Sequence, residues 1–393
     1  MAEKDRKNTG YVFHTRDRKL RSINVDSEPK VVRSLLQDTK KSWFRDSNII
    51  LGKRGRGTNW ALGYHGTRHE PECADDSLLN KTLESLRKEI ERCESFSGTV
   101  LLHSLSGGTG SGLGAHICEC IRDEYQLPYM MSVVIAPHLS GESPLQHYNS
   151  LLCLAKLQRN TDSVVLFQND EVLYQLKRMH KKSDSGISFA DMNQHIAACI
   201  GGVFLPVTSL TPTCGMPIGA EPWEMVRSIC PMPSVKFASI NHITKSKASW
   251  DTLASSLLHT VPRHGIHGDV YSAMSTVCVV RGDSTNTFPR YIRTVEDKIK
   301  HVYNCVSWNP FPVDVWISDM NPASFPGTAS MTIAANRSNI IEYTEHILER
   351  SKEMFDAKAY LHWYWKYGCE QQDFLDAFDT LETVVSNYKD AVR

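Results

Sequence analysis

A glycine-rich segment between an apolar run and an amphipathic run constrains the fold of this chain most strongly. Residues 104–114 read SLSGGTGSGLG and contain five glycines. The preceding run from Thr99 to His103 predicts a buried strand, and Leu113, Ile117 and Ile121, spaced four apart, predict the inward face of a helix. A strand, a glycine turn and the start of a helix therefore follow one another.

This order is typical of a phosphate-binding loop. Glycine lets the backbone approach an anion closely, and the first N–H groups of the helix supply donors at its positive end. The residues predicted to contact phosphate are Gly107, Gly108, Thr109, Gly110, Ser111 and Gly112. The segment is not a Walker P-loop, because no Lys-Ser or Lys-Thr pair follows the last glycine.

Two other interpretations of the glycines stay open at this point. Glycines also form ordinary tight turns, and Gly110, Gly112 and Ala115 satisfy the spacing of a dinucleotide fingerprint. Such a fingerprint requires an acidic residue at the end of the next strand. The predicted strand from Met130 to Ala136 instead runs into Pro-His-Leu, which weakens the case for a dinucleotide-dependent oxidoreductase.

The sequence GGTGSG at residues 107–112 resembles the signature of the tubulin and FtsZ superfamily of GTP-binding filament proteins. Further segments resemble tubulin segments in the same order: VDSEP at 25–29, GTNWALG at 57–63, YNS at 148–150, QND at 168–170 and KAYLHWY at 358–364. The resemblance covers residues 23–388. It indicates a divergent member most similar to the delta subfamily, and next to the zeta subfamily, through segments at 68–70, 92–98 and 373–378.

The resemblance implies an α/β fold of the tubulin/FtsZ type. We expect a parallel-sheet GTP-binding domain over residues 1–204, a smaller α/β intermediate domain over 205–337 and a C-terminal helical region over 338–393. The residue pattern agrees, since short apolar runs alternate with helical stretches up to Phe204 and the chain is strongly helical from Ile340.

The resemblance also implies a metal site and a second phosphate loop. Asp26 and Glu28 follow a short apolar run, and their carboxylates suit a Mg²⁺ ion that bridges the phosphates. A solvated turn is the alternative for this pair. The second loop consists of Gly55, Gly57, Thr58 and Asn59. Tubulins generally carry Asn at the Thr58 position.

Three further residues match family positions that recognise the guanine base. Asn169 and Asn193 match the amides that read the guanine edge, since an amide carries both a donor and an acceptor. Phe189, where tubulins usually carry Tyr, is predicted to stack on the base. A place in the core is the alternative for Phe189.

Catalysis in this family is shared between subunits, because the acidic residue that activates water comes from the neighbouring subunit. Aligning Ile229–Pro233 (ICPMP) with the family pattern places Glu224 at that position and Glu221 one helical turn earlier. A carboxylate there orients or deprotonates the water that attacks the γ-phosphate. Solvated glutamates on a helix surface are the alternative.

Two departures from the family pattern bear on whether this chain can bind nucleotide. Ser106 replaces a glycine at the start of the signature. Tubulins also open with an apolar strand and a loop of the type Gly-Gln-Cys-Gly, whereas residues 1–22 are highly charged and contain no such segment. We therefore expect either that the chain is a truncated version of a longer product or that its nucleotide site is damaged.

Composition is consistent with a soluble cytoplasmic protein. Lys plus Arg and Asp plus Glu both total 44, so bulk charge indicates neither a nucleic-acid nor a membrane partner. The 11 cysteines contain no Cys-x-x-Cys pair, and no apolar stretch approaches membrane-spanning length.

Two functional classes result from the resemblance. The first is a GTP- and Mg²⁺-binding cytoskeletal protein of centrioles and basal bodies. It would assemble with other tubulin subunits and with microtubule or centriole proteins, and would complete GTP hydrolysis at subunit junctions. The second is a non-catalytic, tubulin-like adaptor with impaired nucleotide binding.

Overall fold

The structure is a computed structural model that describes residues 13–15, 17–38, 41–66, 77–126, 128–141, 143–180, 186–209, 223–282, 285–319 and 328–393. The chain forms two compact units. Among the described residues, the N-terminal unit comprises those within 13–161 and 346–382, and the central unit comprises those within 162–345 and 383–393. Each unit is described by itself.

The N-terminal unit contains two pairs of parallel strands, β1 with β2 and β3 with β4. The strands are β1 (Asn24–Asp26), β2 (Ile49–Leu51), β3 (Gly98–Ser104) and β4 (Tyr129–Ala136). The helices are α1 (Pro29–Asp38), α2 (Trp60–His65), α3 (Leu78–Glu91), α4 (Gly114–Glu124) and α5 (Leu145–Asn160). Because parallel strands need a crossover, α4 connects β3 to β4.

The central unit contains a mixed sheet in the order β5-β7-β10-β8-β9-β6. Its strands are β5 (Ser163–Gln168), β6 (Thr208–Ser209), β7 (Phe237–Ser246), β8 (Ala273–Gly282), β9 (Val313–Ser318) and β10 (Thr328–Arg337). The pairs β5 with β7 and β8 with β9 are parallel, and the other neighbouring pairs are antiparallel. Its helices are α6 (Asn169–His180), α7 (Phe189–Phe204), α8 (Glu224–Ile229), α9 (Trp250–Leu258) and α10 (Ile292–Val302).

Three helices follow β10: α11 (Asn339–Asp356), α12 (Leu361–Trp365) and α13 (Gln371–Ala391). The α12 helix belongs to the N-terminal unit, whereas α11 and α13 contain residues of both units. The helical character predicted from Ile340 onward is confirmed.

The α/β class predicted from the sequence is confirmed. The apolar runs predicted as strands form β3, β4, β5 and β8, and the amphipathic run after the glycines forms α4 with Ile117 and Ile121 buried. Every residue of β8 is buried, which explains why its centre, residues 277–280, is an uninterrupted apolar run rather than an alternating one.

The predicted lack of an amino-terminal strand concerns residues 1–22, and residues 1–12 and 16 lie outside the described residues. Within the described part of the chain, β3 pairs with β4 alone. Leu102 on β3 is 63% exposed. The expectation about the amino terminus stays a prediction.

Arg281 of β8 holds the end of α7. Its Nε donates to Gly202 O at 2.8 Å, and its Nη1 donates to Pro206 O at 3.0 Å. Burial lowers the pKa of Arg281 to about 10, so the guanidinium remains charged at neutral pH. A cation at carbonyl groups that lack helical partners stabilises the C-terminal end of the helix.

Buried His242 of β7 makes stability depend on pH. Its ring nitrogens lie 2.8 Å from Thr332 Oγ1 and 2.9 Å from Thr244 Oγ1. Burial, with repulsion from His195 and Arg281, lowers the pKa of His242 from 6.5 to about 3. The folded protein therefore holds this ring neutral, while the unfolded chain takes up a proton below pH 6.5.

We predict that the His242 contribution to the free energy of unfolding is complete above pH 6.5 and decreases as the pH falls towards 3. Replacing His242 with Gln should reduce the loss of stability between pH 7 and 5 by about 1–2 kcal/mol, at roughly 1.4 kcal/mol per pKa unit. Urea unfolding at a series of pH values measures this. The exposed His267→Gln variant is the control, and parallel profiles for all three proteins would contradict the prediction.

Candidate functional site

The predicted glycine loop connects β3 to α4 through one π-helical turn, Gly108–Leu113. The Ser111 N–H donates to Gly107 O at 2.9 Å, and the Ser111 hydroxyl donates to the same carbonyl at 2.6 Å. Single π turns are uncommon and frequently occur at functional sites. The helix begins inside the glycines, as predicted, but the Ser111 hydroxyl stabilises the turn itself.

One side of the loop is in direct backbone contact with α2. A Cβ atom on Gly63 would lie 1.9 Å from Gly108 O, and one on Gly112 would lie 2.2 Å from Trp60 O. Only glycine permits this approach. At Gly107, by contrast, no atom beyond its own chain neighbours lies within 4 Å of the Cβ position. The loop therefore has a packed side and an open side, and the open side is the side on which a phosphate fits.

The second predicted loop contains two residues with left-handed backbones. Gly57 has φ of +55° and Thr58 has φ of +51°. A β-branched residue is unfavourable in this region, by about 1–2 kcal/mol, whereas Asn tolerates it better. The Thr58 position thus requires a conformation that suits the Asn typical of tubulins. Ser106, the other departure, does not have a left-handed backbone.

Asn59 has a structural role that the sequence did not predict. Its Oδ1 accepts a hydrogen bond from Leu62 N at 3.1 Å and caps α2, while its Nδ2 donates to Trp363 O at 3.2 Å. The side chain is buried, with 4% of the residue exposed. Both ends of the amide are thus engaged within the protein, and a direct contact between Asn59 and nucleotide stays a prediction.

Asn149 on α5 is a central residue that the sequence reasoning missed. Its Nδ2 donates to Thr58 O and to Ser106 O, both at 2.8 Å, and so joins the two loops. The side chain is completely buried. The sequence signals were its place in the YNS segment that resembles tubulins and its polar amide beside the apolar run that starts at Leu151, and neither assigned it a role.

Asp26 and Glu28 lie on a turn that contacts both loops. The Glu28 N–H donates to Asp26 Oδ1 at 3.2 Å. The Glu28 carboxylate lies against Gly55, since a Cβ atom on Gly55 would lie 2.1 Å from Glu28 Oε1. Between the two acids, Ser27 Oγ lies 2.6 Å from Thr109 Oγ1. The carboxylates are therefore placed at the mouth of the predicted phosphate site.

The donor set fits magnesium that is held jointly with phosphate. Among the described residues, no group of three His, Cys, Asp or Glu side chains is arranged to hold a metal ion alone. Mg²⁺ is commonly bound by one or two carboxylates, with water and substrate phosphates as the remaining ligands. Asp26 and Glu28 supply such a pair.

Positive charge near the loops comes from residues that the sequence reasoning did not single out. Lys53 and Arg54 are exposed directly before the second loop, and Arg56 is buried within it. His103, at the end of β3, contributes no charge, because burial lowers its pKa to about 4 and its Nε2 lies 2.7 Å from Ser132 Oγ. A phosphate at this site would be held chiefly by backbone N–H groups, flexible surface cations and a bound metal.

The guanine candidates lie at the starts of two helices in the central unit. Asn169 is the first residue of α6 and Phe189 is the first residue of α7. Phe189 is 67% exposed, so it does not belong to the core. Asn193 is exposed one helical turn later, on the same face of α7. This face presents an aromatic ring and an amide together.

Ser188 fixes the start of this helix. Its hydroxyl accepts a hydrogen bond from Asp191 N at 3.2 Å, and Asp191 Oδ2 accepts from Ser188 N at 2.8 Å. This capping box satisfies the first donors of α7. The ring of Phe189 is thereby held on a rigid element rather than on a loop.

Glu224 is the first residue of α8, where it pairs with Arg227. Its Oε2 lies 3.1 Å from Arg227 Nη1, and the two side chains are 24% and 50% exposed. Such surface pairs contribute little energy, so the carboxylate can change partners. Glu221 lies outside the described residues. Both the catalytic and the surface interpretation of Glu224 remain open here.

The fold and the loops define an α/β protein with a strand, glycine turn and helix built to bind phosphate. A model of the Tubulin/FtsZ family, GTPase domain, matches residues 2–177. A tubulin delta chain from Homo sapiens is 31% identical over 409 residues, which cover 94% of this chain and 86% of that protein. The tubulin delta chain of Canis lupus familiaris is 30% identical over 408 residues, with the same coverage.

A tubulin beta-4 chain from Zea mays is 28% identical over 392 residues, which cover 94% of this chain and 81% of that protein. The chain belongs to the tubulin family. The family implies binding of guanine nucleotide and association with other tubulin subunits. It thereby favours a guanine nucleotide over the dinucleotide of an oxidoreductase. No helix in the described ranges is long and apolar enough to cross a bilayer.

We predict that Gly107→Ala and Gly112→Ala affect different properties. Gly112→Ala should lower the free energy of unfolding by about 1–3 kcal/mol, since its Cβ meets backbone atoms of α2. Gly107→Ala should leave stability within about 0.5 kcal/mol of the wild type but weaken GTP binding, because its Cβ enters the open side. Urea unfolding without nucleotide and calorimetric titration with GTP separate the two effects. Unchanged GTP affinity in Gly107→Ala would mean that phosphate binds elsewhere.

Proposed function

We propose that this protein binds GTP with Mg²⁺ and serves as a specialised component of microtubules, centrioles or basal bodies in the cytoplasm, with hydrolysis completed at subunit junctions. The observation that supports this best is the glycine turn after β3, packed on one side and open on the other. Its contact residues for phosphate are those of the segment from Gly107 to Gly112. Asp26 and Glu28 would hold the metal, which supplies charge neutralisation for the phosphates.

Base recognition is assigned to Asn169, Asn193 and Phe189. An amide offers a donor and an acceptor, which suits the carbonyl and the N–H groups on the guanine edge. A ring that is 67% exposed on a capped helix is available for stacking. Adenine presents a different donor and acceptor pattern, so a site built for guanine leaves polar groups unpaired when adenine is bound.

We predict that the protein binds GTP in preference to ATP, and that Asn169→Ala or Asn193→Ala each weakens GTP binding by roughly 1–3 kcal/mol. ATP affinity should change less, so the preference should shrink. Competition titrations of both nucleotides measure this. Gln194→Ala, which removes a neighbouring exposed amide of α7, is the matched control. Equal affinities of the wild type for ATP and GTP would refute the assignment.

Hydrolysis is proposed to require a second subunit that contributes Glu224. The carboxylate is on the first turn of α8, where its Arg227 partner is half exposed and replaceable. A positioned carboxylate accepts a proton from water or orients it for attack on the γ-phosphate. On this proposal, the nucleotide bound by one subunit meets Glu224 of another.

We predict that Glu224→Ala leaves GTP affinity of the isolated subunit unchanged and slows hydrolysis within an assembly by about 10²–10⁴-fold, the contribution of a positioned general base. Single-turnover hydrolysis with and without a partner tubulin tests this. Arg227→Ala, which removes the ion-pair partner and keeps the carboxylate, is the control and should retain turnover. Equally fast hydrolysis by isolated Glu224→Ala protein would contradict a shared site.

The second candidate function is that of a tubulin-like adaptor that binds nucleotide poorly. Three features favour it: the left-handed Thr58, the engagement of Asn59 as a helix cap, and the inward hydrogen bond of Ser111. The contacts of Asn59 and Ser111 engage side-chain groups that a nucleotide could otherwise use, and the Thr58 backbone is unfavourable for a β-branched residue. Nucleotide content after purification decides between the two functions, since an adaptor would carry little or none.

A further inference from the structure

The side chain of Asn149 uses every hydrogen-bonding position it has. Besides donating to Thr58 O and Ser106 O, it accepts at Oδ1 from Trp60 N at 2.9 Å and from Tyr364 Oη at 2.7 Å. An amide has two donor hydrogens and two acceptor positions, so its capacity is filled.

The backbone partners fix the orientation of this amide. The Trp60 N–H can only donate, and the two carbonyls can only accept, so the oxygen and nitrogen of Asn149 cannot exchange places. Aspartate at this position would face two carbonyls without a donor, and an apolar residue would remove the partner of Thr58 O, Ser106 O and Trp60 N. The site thus requires asparagine specifically.

The carbonyls that Asn149 holds lie at the entry of the glycine turn and near the end of the second loop. Ser106 directly precedes Gly107, and Thr58 directly precedes the residue that caps α2. A phosphate held by backbone N–H groups is bound well only when those groups are already in place. One buried side chain therefore sets the spacing between the two loops.

Tyr364 extends this connection to α12. Its ring packs edge-on against Tyr148 and Phe374, at centroid distances of 5.4 and 5.5 Å. Neighbouring Trp363 accepts a hydrogen bond from Asn59 through its carbonyl oxygen. The helix thus contacts the second loop directly, through Trp363 O, and is connected to the glycine turn only through Asn149.

We propose that Asn149 is a positioning residue that holds the two phosphate loops at a fixed spacing, with Tyr364 linking α12 to that spacing. The proposal rests on the proposed binding of GTP. Asn149 acts on the nucleotide only through the backbone of the loops. Its loss therefore loosens both loops together and weakens binding of GTP and GDP.

The test uses the full chain and four variants: Asn149→Ala, Asn149→Asp, Tyr364→Phe and the control Gln146→Ala. Gln146 is a buried amide one turn earlier on α5, and its Nε2 donates to His138 O at 3.1 Å, away from both loops. Hydrogen exchange of the nucleotide-free protein reports on residues 57–64 and 104–113. Calorimetric titration with GTP and with GDP, in the presence of Mg²⁺, reports on binding.

We expect both Asn149 variants to accelerate exchange in the two segments and to weaken GTP and GDP binding by about tenfold or more, since at least two hydrogen bonds are lost. Gln146→Ala should lower the melting temperature without either effect. Tyr364→Phe keeps the ring and should weaken binding by about threefold to tenfold, through one lost hydrogen bond.

The proposal would be overturned if the Asn149 variants matched Gln146→Ala both in hydrogen exchange of the two segments and in affinity for GTP and GDP. If the Asn149 variants fail to fold, the Tyr364→Phe variant tests the proposal. Unchanged hydrogen exchange in both segments of that variant would reject the connection between α12 and the two loops. A wild-type chain without affinity for GTP would reject the proposed function instead. The exchange data would then decide the positioning role by themselves.

Discussion

The backbone contact between α2 and the glycine turn is the constraint on which the candidate site depends. No side chain lies between Gly63 and the turn at Gly108 and Gly112, so the two segments support each other at van der Waals distance. A Cβ atom on Gly110 would likewise meet the backbone of Ser104, so β3 supports the turn as well as α2. The turn is therefore held rigid while its opposite side, at Gly107, stays accessible, which is the combination that a backbone-based anion site requires.

The charges around this turn explain why a cation belongs to the site. Asp26 and Glu28 lie next to the loops, and their carboxylates would repel a bound triphosphate if nothing lay between them. His103 is neutral because of its burial, and Lys53 and Arg54 are exposed to solvent. A divalent ion shared by the carboxylates and the phosphates reverses the sign of the interaction, so metal and nucleotide should bind together.

Membership of the tubulin family accounts for the main elements of the site, while the side chains show how this chain differs. Thr58 adopts a conformation better suited to Asn, and Asn59 and Ser111 direct their polar groups into the protein. These contacts make the loops depend on internal hydrogen bonds. Asn149 adds further internal hydrogen bonds, to Thr58 O and Ser106 O and from Trp60 N. Nucleotide affinity in this chain should consequently follow loop order more closely than the chemistry of any single contact residue.

The sequence by itself determined the α/β class, the strands β3, β4, β5 and β8, and the glycine turn that opens α4, because periodicity and glycine act on local backbone conformation. Only the tertiary structure decided that Phe189 is exposed, that Asn59 caps a helix, and that Asn149 joins both loops. The partners of Asn149 lie 43 to 215 positions away along the chain. No local pattern records contacts at such separation, since packing of distant segments creates them.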